Sequence, residues 1–222
     1  MNLEKLTQFL IELEFSNSKA WFDQNRPRYL ELRLEFIDFV AEVIAGVSSF
    51  DASVKGIRAK DCLFRINRDV RFSHNKNPYK TNFSAALSAG GRHSNYPIYY
   101  VQLGIENSVT AGGIHAPPNE QLALIRRFIE RHPKKADALL RNKALLEEFG
   151  GLDKDAILSR FPKGFPSGSE LLKYKSFTVT HAFDALELGS AGVLETVVSK
   201  CAKMQALHKY LREALTYDSS NC

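Results

Sequence analysis

The spacing of apolar residues changes twice along the chain, and this change constrains the fold more than any other feature of the sequence. Residues 3–14 and 29–44 place apolar side chains three or four positions apart, which is the period of an amphipathic helix. Between residues 64 and 109 the period falls to two, as in strands with one buried face. The helical period returns over residues 117–216, so the order of elements predicts an α+β fold rather than alternating βαβ units.

The helical pattern of the first 48 residues predicts three helices, and the first covers residues 3–14. Asn17 is expected to cap a short second helix through Trp21, because its side-chain oxygen can accept a bond from an unpaired backbone N–H. Pro27 suits the first turn of a third helix, where its missing N–H costs nothing. Gly46 is expected to end that helix.

Residues 64–72 are predicted to form a half-buried strand. One face would carry Phe64, Ile66, Val70 and Phe72, and the other Arg65, Asn67, Asp69 and Arg71. Further strands are predicted at residues 83–87 and 96–105, and a turn at Glu106–Asn107 leads to a fourth through Val109. Short connections between consecutive strands favour an antiparallel sheet in the middle of the chain, packed against N-terminal and C-terminal helices.

The remainder of the chain is predicted to be mainly helical. Two helices are expected between residues 117 and 151, and a C-terminal helix is expected from Ala191 to Thr216. A β-branched stretch lies at residues 177–180, and Gly112–Gly113 is interpreted as a turn. We expect a single domain over residues 1–222, helical in 1–48, mainly β in 55–113 and mainly helical in 117–216.

No segment predicts secretion or insertion into a membrane. The first fifteen residues contain three glutamates within their apolar pattern, and no uncharged apolar run approaches the roughly 20 residues that a membrane-spanning helix needs. The three cysteines, Cys62, Cys201 and Cys222, show neither the spacing of a disulfide framework nor that of zinc ligands. We therefore expect a cytoplasmic protein without a membrane partner.

Positive charge is concentrated in one segment. Residues 55–80 hold eight lysine and arginine residues against two aspartates, a net charge of +6, whereas the whole chain carries +5 and the remainder therefore −1. Such local concentration suggests an anionic partner more strongly than a high overall charge does. Our leading hypothesis is a binding module for a phosphate-bearing small molecule or a nucleic acid backbone.

The residues expected to carry this function lie in the segment 65–80. The candidates are Arg65, Asn67, Arg68, Asp69, Arg71, Lys76, Tyr79 and Lys80. Arginine presents a planar fork of donors that matches a phosphate or carboxylate, and the lysines would add point charges. Arg68 would fall on the apolar face of the predicted strand, so either the strand is bulged there or Arg68 reaches a buried acidic group.

A second group of candidates, Trp21, Asn25 and Arg26, lies in the sequence NSKAWFDQNR at residues 17–26. Trp21 is the only tryptophan, and the ordinary role of so large a side chain is to anchor a core. In the alternative interpretation Trp21 stacks on a base or ring of the ligand, next to Asn25 and Arg26.

Two further interpretations stay open. An enzyme of unrecognised type would use Asp69 and Tyr79 as acid and base, and the arginines to hold an anionic substrate. The chain lacks the GxSxG, Walker, HExxH and GxGxxG motifs, and its six histidines show no ligand spacing, so neither a cofactor nor a metal is predicted. In a purely structural or interaction role, the arginines would pair with acidic helix residues such as Glu12, Glu31 or Glu35.

Four motifs follow one another along the chain: NSKAWFDQNRPRY at residues 17–29, FRINRDVRFSHNKNPYKTNF at 64–83, AGGIHAPP at 111–118 and FPKGF at 161–165. In these motifs the chain resembles the conserved hypothetical proteins of domain of unknown function 2461. The resemblance covers nearly the whole chain and implies one full-length domain, but no reaction, cofactor or partner. The residues that it makes family-defining are Trp21, Phe22, Asn25, Arg26, Arg65, Asn67, Arg68, Asp69, Arg71, Pro78, Tyr79 and Lys80.

Overall fold

Helix α1 opens the chain at Leu3–Phe15. The computed structural model describes residues 1–89, 91, 94–165, 167–189 and 192–217. Asn2 caps α1, because its Oδ1 accepts a hydrogen bond from the backbone N–H of Lys5 at 3.0 Å. The predicted apolar stripe is buried, and it consists of Leu6, Phe9, Leu10 and Leu13.

Helix α2 spans Lys19–Ser48 without interruption, which corrects the prediction of two separate helices in this region. The N-cap is Ser18 rather than Asn17, since the Ser18 Oγ accepts a bond from the backbone N–H of Trp21 at 3.3 Å. The helix also continues past Gly46, which was expected to end it, by two residues.

Pro27 lies in the third turn of α2, not in the first turn of a new helix. There it removes one backbone donor and opposes helix formation. Aromatic side chains at Phe22, Tyr29 and Phe36 recur every seven positions across the proline and pack against one another and against Phe83. This tertiary packing keeps the helix continuous, because helices in proteins depend more on a buried face than on local preference.

The described strands form one antiparallel sheet after a short helix, α3, at Ala59–Cys62. The strands are β1 at Asn82–Leu87, β2 at Ile98–Gly104, β3 at Val109–Ile114 and β4 at Phe177–Ala182, in the order β1-β2-β3-β4. The β2–β3 hairpin is tight, with the backbone N–H of Gly104 bonded to the Ser108 Oγ at 3.1 Å. The α+β fold and the strands predicted near residues 83–109 are confirmed, and the stretch at 177–180 supplies the edge strand β4.

Residues 64–72 do not form the predicted strand. Only single bridges, between Leu63 and Ala85 and between Asn67 and Tyr79, link this segment to its neighbours. The predicted alternation of burial holds from Phe64 to Arg71 and fails at Phe72, whose side chain is 96% exposed. The physical reason is local: Asp69 bonds to the backbone and side chain of Arg71, and such turns compete with the hydrogen bonding of a sheet.

Gly112 and Gly113 lie within β3 and do not form a turn, contrary to the prediction. At Gly113, with φ of 119°, a Cβ atom would stand 2.0 Å from the backbone oxygen of Phe177 on β4. At Gly112 a Cβ atom would stand 2.4 Å from the Met204 sulfur. Glycine is therefore needed here for close approach within the sheet rather than for a reversal of the chain.

Residues 117–151 hold three helices where two were predicted: α4 at Asn119–Arg131, α5 at Pro133–Leu140 and α6 at Lys143–Phe149. The extra boundary falls at Pro133, which occupies the first position of α5. After β4 come α7 at Ala185–Gly189, α8 at Val193–Lys203 and α9 at Gln205–Thr216. The predicted C-terminal helix is thus divided at Met204, and its expected start at Ala191 lies outside the described residues, as do His93 and Cys222.

The chain divides into two compact units. The first unit comprises Met1–Arg92, Tyr100–Thr110 and Ala182–Val198, and the second comprises His93–Tyr99, Ala111–His181 and Ser199–Cys222. The single domain over residues 1–222 stays a prediction. Among the described helices, none combines the length and the apolar character that a membrane crossing needs.

The core of the first unit is formed by α1, α2 and β1. The fully or almost fully buried side chains include Phe9 and Leu13 from α1, Phe36, Val40 and Val43 from α2, and Ala85 and Leu87 from β1. Within the second unit, α4 packs against α9, with Ile125 and Ile129 buried on α4 and Leu207 and Leu211 buried on α9. Every candidate site residue lies in the first unit.

Candidate functional site

The candidate site is built on a fixed point at Tyr79. The Asn17 Nδ2 donates a hydrogen bond to the backbone oxygen of Tyr79 at 3.1 Å, and the backbone N–H of Tyr79 donates to the Asn17 Oδ1 at 3.0 Å. The Tyr79 ring is buried and stacks on Phe22, with ring centroids 4.0 Å apart and planes inclined by 14°. Tyr79 is therefore held through both its backbone and its ring, and its ring belongs to the core.

The bridge between Asn67 and Tyr79 closes a loop, residues 68–78, that we call the arginine loop. The bridge consists of two backbone bonds at the base of the loop: Arg68 N–H to the Pro78 oxygen and Lys80 N–H to the Ile66 oxygen, both at 2.8 Å. The side chains of Arg65, Asn67, Asp69 and Arg71 are all exposed, as the sequence predicted, although the loop and not a strand presents them.

Asp69 and Arg71 bind each other within the arginine loop. The Arg71 Nε donates to Asp69 Oδ1 at 2.9 Å and the Nη2 donates to Oδ2 at 2.6 Å, so both carboxylate oxygens are engaged. Hydrogen bonds from the Arg71 side chain and backbone lower the pKa of the Asp69 carboxyl, and Arg65 lowers it further by charge. The bond to Asp69 raises the pKa of the Arg71 guanidinium. An ionised carboxylate held in this way is a poor proton acceptor near neutral pH.

Lys76 supports the arginine loop from inside. Its Nζ donates a hydrogen bond to the backbone oxygen of Val70 at 3.0 Å, across the turn that carries Phe72. The Asn75 Oδ1 accepts a bond from the backbone N–H of Asn77 at 2.9 Å, which holds the return of the loop. Lys76 and Arg71 therefore have partners within the loop.

Three cations at the base of the loop form what we call the cationic cluster: Arg65, Arg68 and Lys80. Lys80 is half-buried, and its Nζ lies 5.6 Å from the centre of the Phe64 ring. Burial lowers the pKa of the Lys80 ammonium, and the positive charges of Arg65 and Arg68 lower it further. Lys80 is thus close enough to both arginines to be repelled by their charges.

The cationic cluster has little compensation from acidic groups. Among residues 1–89 and the other described segments, no carboxylate lies within ion-pair distance of Arg65, Arg68 or Lys80. Asp69 is near Arg65, but both of its oxygens are bonded to Arg71. Arg68 is half-buried and meets neither of the expectations raised for it, because the segment has no strand to bulge and the described part of the chain offers no buried acidic partner.

The structural interpretation had paired these arginines with Glu12, Glu31 or Glu35. Glu12 instead binds Arg28 at 2.6 Å, Glu31 lies 3.8 Å from Lys5, and Glu35 accepts a bond from the backbone N–H of Asn2 at 2.7 Å. These three carboxylates therefore bind partners in the N-terminal part of the chain, and none of them neutralises the cationic cluster.

Trp21, Asn25 and Arg26 lie along the first two turns of α2. Trp21 is partly exposed, and its ring lies 5.7 Å from that of Phe9 at an inclination of 45°, so it packs on α1 at the margin of the core. The Asn25 Nδ2 donates to the backbone oxygen of Trp21 at 3.0 Å, and Asn25 Oδ1 accepts a bond from Arg28. Arg26 is exposed and, like Arg33, acts electrostatically on Tyr29.

Sequence reasoning missed two parts of the site. The sequence predicts Asn17 as a helix cap, whereas in the structure it holds the backbone of Tyr79 from 62 positions away. The apolar pattern places Tyr29 on a buried helix face but does not reveal its interaction with Arg33. Burial raises the pKa of the Tyr29 hydroxyl, while Arg33 opposes the rise through its charge and a hydrogen bond. No local signal reveals either contact, because each depends on residues brought together by folding.

A small cleft opens beside Phe64, the neighbour of Arg65 in the chain. It is lined also by Tyr29, Arg33 and Asn82 and has a volume of about 10 Å³, which is room for about one water molecule. A cavity of about 450 Å³ lies elsewhere, between α1 and α2, but the opposite charges of Lys5 and Glu31 face each other in it. It therefore favours neither sign of ligand. In the cationic cluster, Arg65 is exposed and Arg68 and Lys80 are partly exposed.

Metal ligation finds no support among the described residues, where no group of three or more histidine, cysteine, aspartate or glutamate side chains is arranged to hold an ion. The chemistry available at the cluster is recognition of negative charge by guanidinium and ammonium donors. The model of one family, described as a conserved hypothetical protein, DUF2461, matches residues 5–210. No curated protein and no solved structure matches the chain.

Proposed function

The chain belongs to the DUF2461 family of conserved hypothetical proteins, and we propose that it binds a phosphate-bearing ligand through Arg65, Arg68 and Lys80. One observation carries the proposal: these three cations lie together without a carboxylate bound to any of them in the described part of the chain. Uncompensated charges of one sign repel each other, and a bound anion relieves that repulsion.

Phosphate suits this cluster better than a single carboxylate does. Arginine forks form paired hydrogen bonds to phosphate oxygens, and Arg65 and Arg68 supply two such forks. Lys80 adds a point charge whose Nζ lies over the Phe64 ring. A phosphate group has three or more oxygens to share among these donors, whereas a carboxylate has two.

The scaffold around the cluster is suited to hold the donors in place. Lys80 follows Tyr79 directly, and Tyr79 is fixed by Asn17 and by stacking on Phe22. The backbone of Arg68 is pinned to Pro78. Donors that are fixed in advance lose less conformational entropy when they bind, which favours affinity.

Arg71 and Lys76 have a supporting role in this proposal. Both are already bonded within the arginine loop, to Asp69 and to the Val70 backbone. We do not propose Asp69 and Tyr79 as an acid and base, because the Asp69 oxygens are occupied and the Tyr79 ring is buried on Phe22. We place the protein in the cytoplasm, where phosphorylated ligands are abundant and where cysteines without a disulfide spacing persist.

The proposal is tested by thermal-shift titration and calorimetry with pyrophosphate. We expect pyrophosphate to raise the Tm of the wild-type protein in a concentration-dependent way, since it binds the folded state only. The double variant Arg65→Gln/Arg68→Gln should lose this shift. Salt should weaken binding, because the interaction is between exposed charges.

The matched control is Arg71→Gln, which removes a neighbouring arginine of the same segment that Asp69 already engages. It should keep most of the pyrophosphate shift. Circular dichroism of each variant checks that the fold is intact. Equal shifts in the double variant and in the wild-type protein would refute the proposal, as would the absence of any shift in the wild-type protein at low salt.

A further inference from the structure

Phe72 stands in water at the end of the arginine loop. Its side chain is 96% exposed, the highest exposure among the large apolar side chains that the structure describes as exposed. A phenyl ring gains about 1.5–3 kcal/mol by leaving water, so its position at the tip forgoes that stabilisation. Single exposed apolar side chains are common in proteins, and Phe72 is distinguished by its place in the segment that also carries the cationic cluster.

The loop is built to hold Phe72 outward. Asp69 and Arg71 bind each other on one side of it, and Lys76 bonds to the Val70 backbone on the other. The backbone N–H of Ser73 also contacts the Val70 oxygen at 3.4 Å, which tightens the turn around Phe72. Polar bonds inside the loop, and not packing against the core, therefore set the position of the ring.

A cation accompanies the ring. The Arg71 Cζ lies 6.0 Å from the centre of the Phe72 ring, within the range of a cation–π contact. Proteins that bind single strands combine aromatic rings on which bases stack with nearby cations that attract the backbone, and here the cationic cluster supplies the free cations because Arg71 is bonded to Asp69.

The phosphate site and the ring are separated along the loop. Arg65, Arg68 and Lys80 lie at its base and Phe72 at its tip, five residues beyond the Asn67–Tyr79 bridge. Five extended residues reach at most about 17 Å. Because this is the greatest separation that the chain allows, a short oligonucleotide can contact the cationic cluster and Phe72 at the same time.

We propose that the ligand of this surface is single-stranded nucleic acid, with backbone phosphates on the cationic cluster and one base stacked on Phe72. The inference rests on the proposed function, since it assigns the phosphate to a polymer. Every base has a π-face, so recognition by one ring and three cations tolerates many sequences. A single strand suits this surface better than a duplex, because its bases are already exposed for stacking and none has to be released from a base pair.

The test is fluorescence anisotropy with a labelled oligothymidine of roughly 10 nucleotides, within the usual site sizes for single strands. The wild-type protein should bind it. A plot of log Kd against the logarithm of the salt concentration should have a slope of about 2, as expected for three phosphate contacts. Phe72→Leu should weaken binding by about tenfold, as expected for the loss of one stacked base. Phe72→Trp should bind the oligonucleotide at least as tightly as the wild-type protein does, because an indole stacks at least as well as a phenyl ring.

Phe72→Leu and Phe72→Trp separate stacking from a merely apolar contact, and both should fold normally because the side chain touches water. Equal affinity of Phe72→Leu and the wild-type protein for the oligonucleotide overturns the inference. So does binding to vesicles of anionic phospholipid in place of the oligonucleotide. If pyrophosphate still raises the Tm and the oligonucleotide does not bind, the inference fails while the proposed function stands. If neither binds, both fail.

Discussion

Asn17 grips the backbone of Tyr79 with both ends of its side-chain amide, through bonds of 3.1 Å and 3.0 Å. The amide thus takes the place of a neighbouring strand at this point, satisfying a backbone donor and acceptor that lie at the end of the arginine loop. Asn17 itself lies between α1 and α2. The junction of the two N-terminal helices therefore determines where Lys80 stands.

Replacing Asn17 with alanine should destabilise the protein by about 2 kcal/mol, because two partly buried hydrogen bonds are lost and the Tyr79 backbone groups are left without partners. Urea unfolding measures this loss. The matched control is Asn75→Ala, which removes one exposed bond within the loop and should cost less than about 0.5 kcal/mol. Similar losses in the two variants would contradict the anchoring role of Asn17.

Lys80→Met should raise the Tm at pH 7 in the absence of ligand. In the folded protein, burial and the two arginines lower the pKa of the Lys80 ammonium from its ordinary value of 10.5. At pH values below the pKa of Lys80 in the folded protein, the ammonium is charged in both the folded and the unfolded state. Its full destabilising effect is then present. Between the folded pKa and 10.5 the unfolded chain holds a proton that the folded protein has released, so the stability of the wild-type protein rises with pH.

The advantage of Lys80→Met should therefore shrink as the pH rises toward 10.5. Thermal melts of both proteins at a series of pH values from 7 to 10 measure the difference. Lys60→Met, at an exposed lysine on α3, controls for the general effect of removing one positive charge. A constant difference across this pH range, or a Tm below that of the wild-type protein at pH 7, would argue against a strained Lys80.

Gly113→Ala should destabilise the protein severely, by roughly 3 kcal/mol or more, through the strain of a positive φ and the clash of the added methyl group. The new Cβ would stand 2.0 Å from the Phe177 oxygen. Gly150→Ala is the matched control: Gly150 also has a positive φ, of 71°, but a Cβ there meets nothing within 4 Å. It should cost about 1 kcal/mol. Equal costs would show that backbone strain alone decides both.

Pro27→Ala should stabilise the protein by about 2–2.6 kcal/mol. Alanine restores a backbone donor in the third turn of α2 and removes a ring that opposes a helix interior by about 3 kcal/mol. A more flexible unfolded chain takes back roughly 0.4–1 kcal/mol of that gain. Chemical denaturation measures the net change, and a loss of stability would indicate that the helix needs the bend or rigidity that proline imposes.

The helices were predictable where their signals are local. Burial of Leu6, Phe9, Leu10 and Leu13 follows from the spacing of apolar residues in α1. The continuity of α2 was not predictable. Proline suits the first turn of a helix and is tolerated in the interior only at a cost, so Pro27 by itself indicates the start of a new helix. What decides is the packing of Tyr29 against Phe83, a contact between residues 54 positions apart.

The candidate site was predictable in composition and not in geometry. The excess of positive charge at residues 55–80 is visible in the sequence, and so are the members of the cationic cluster. Residues 64–72 alternate in polarity as a strand does. The short-range bonds between Asp69 and Arg71 instead favour a turn, which removes this segment from the sheet. A pattern of polarity predicts which face of a strand is buried, but it does not show which side chains will bond to the nearby backbone.

The division of the chain into interleaved units has a consequence for its biosynthesis. Residues Ala182–Val198 belong to the same unit as the first 92 residues, so this unit is incomplete until residue 198 has left the ribosome. Neither unit corresponds to one continuous stretch of the gene, and truncation at any single position removes part of at least one of them. Fragments are therefore poor substitutes for the full-length protein in expression trials.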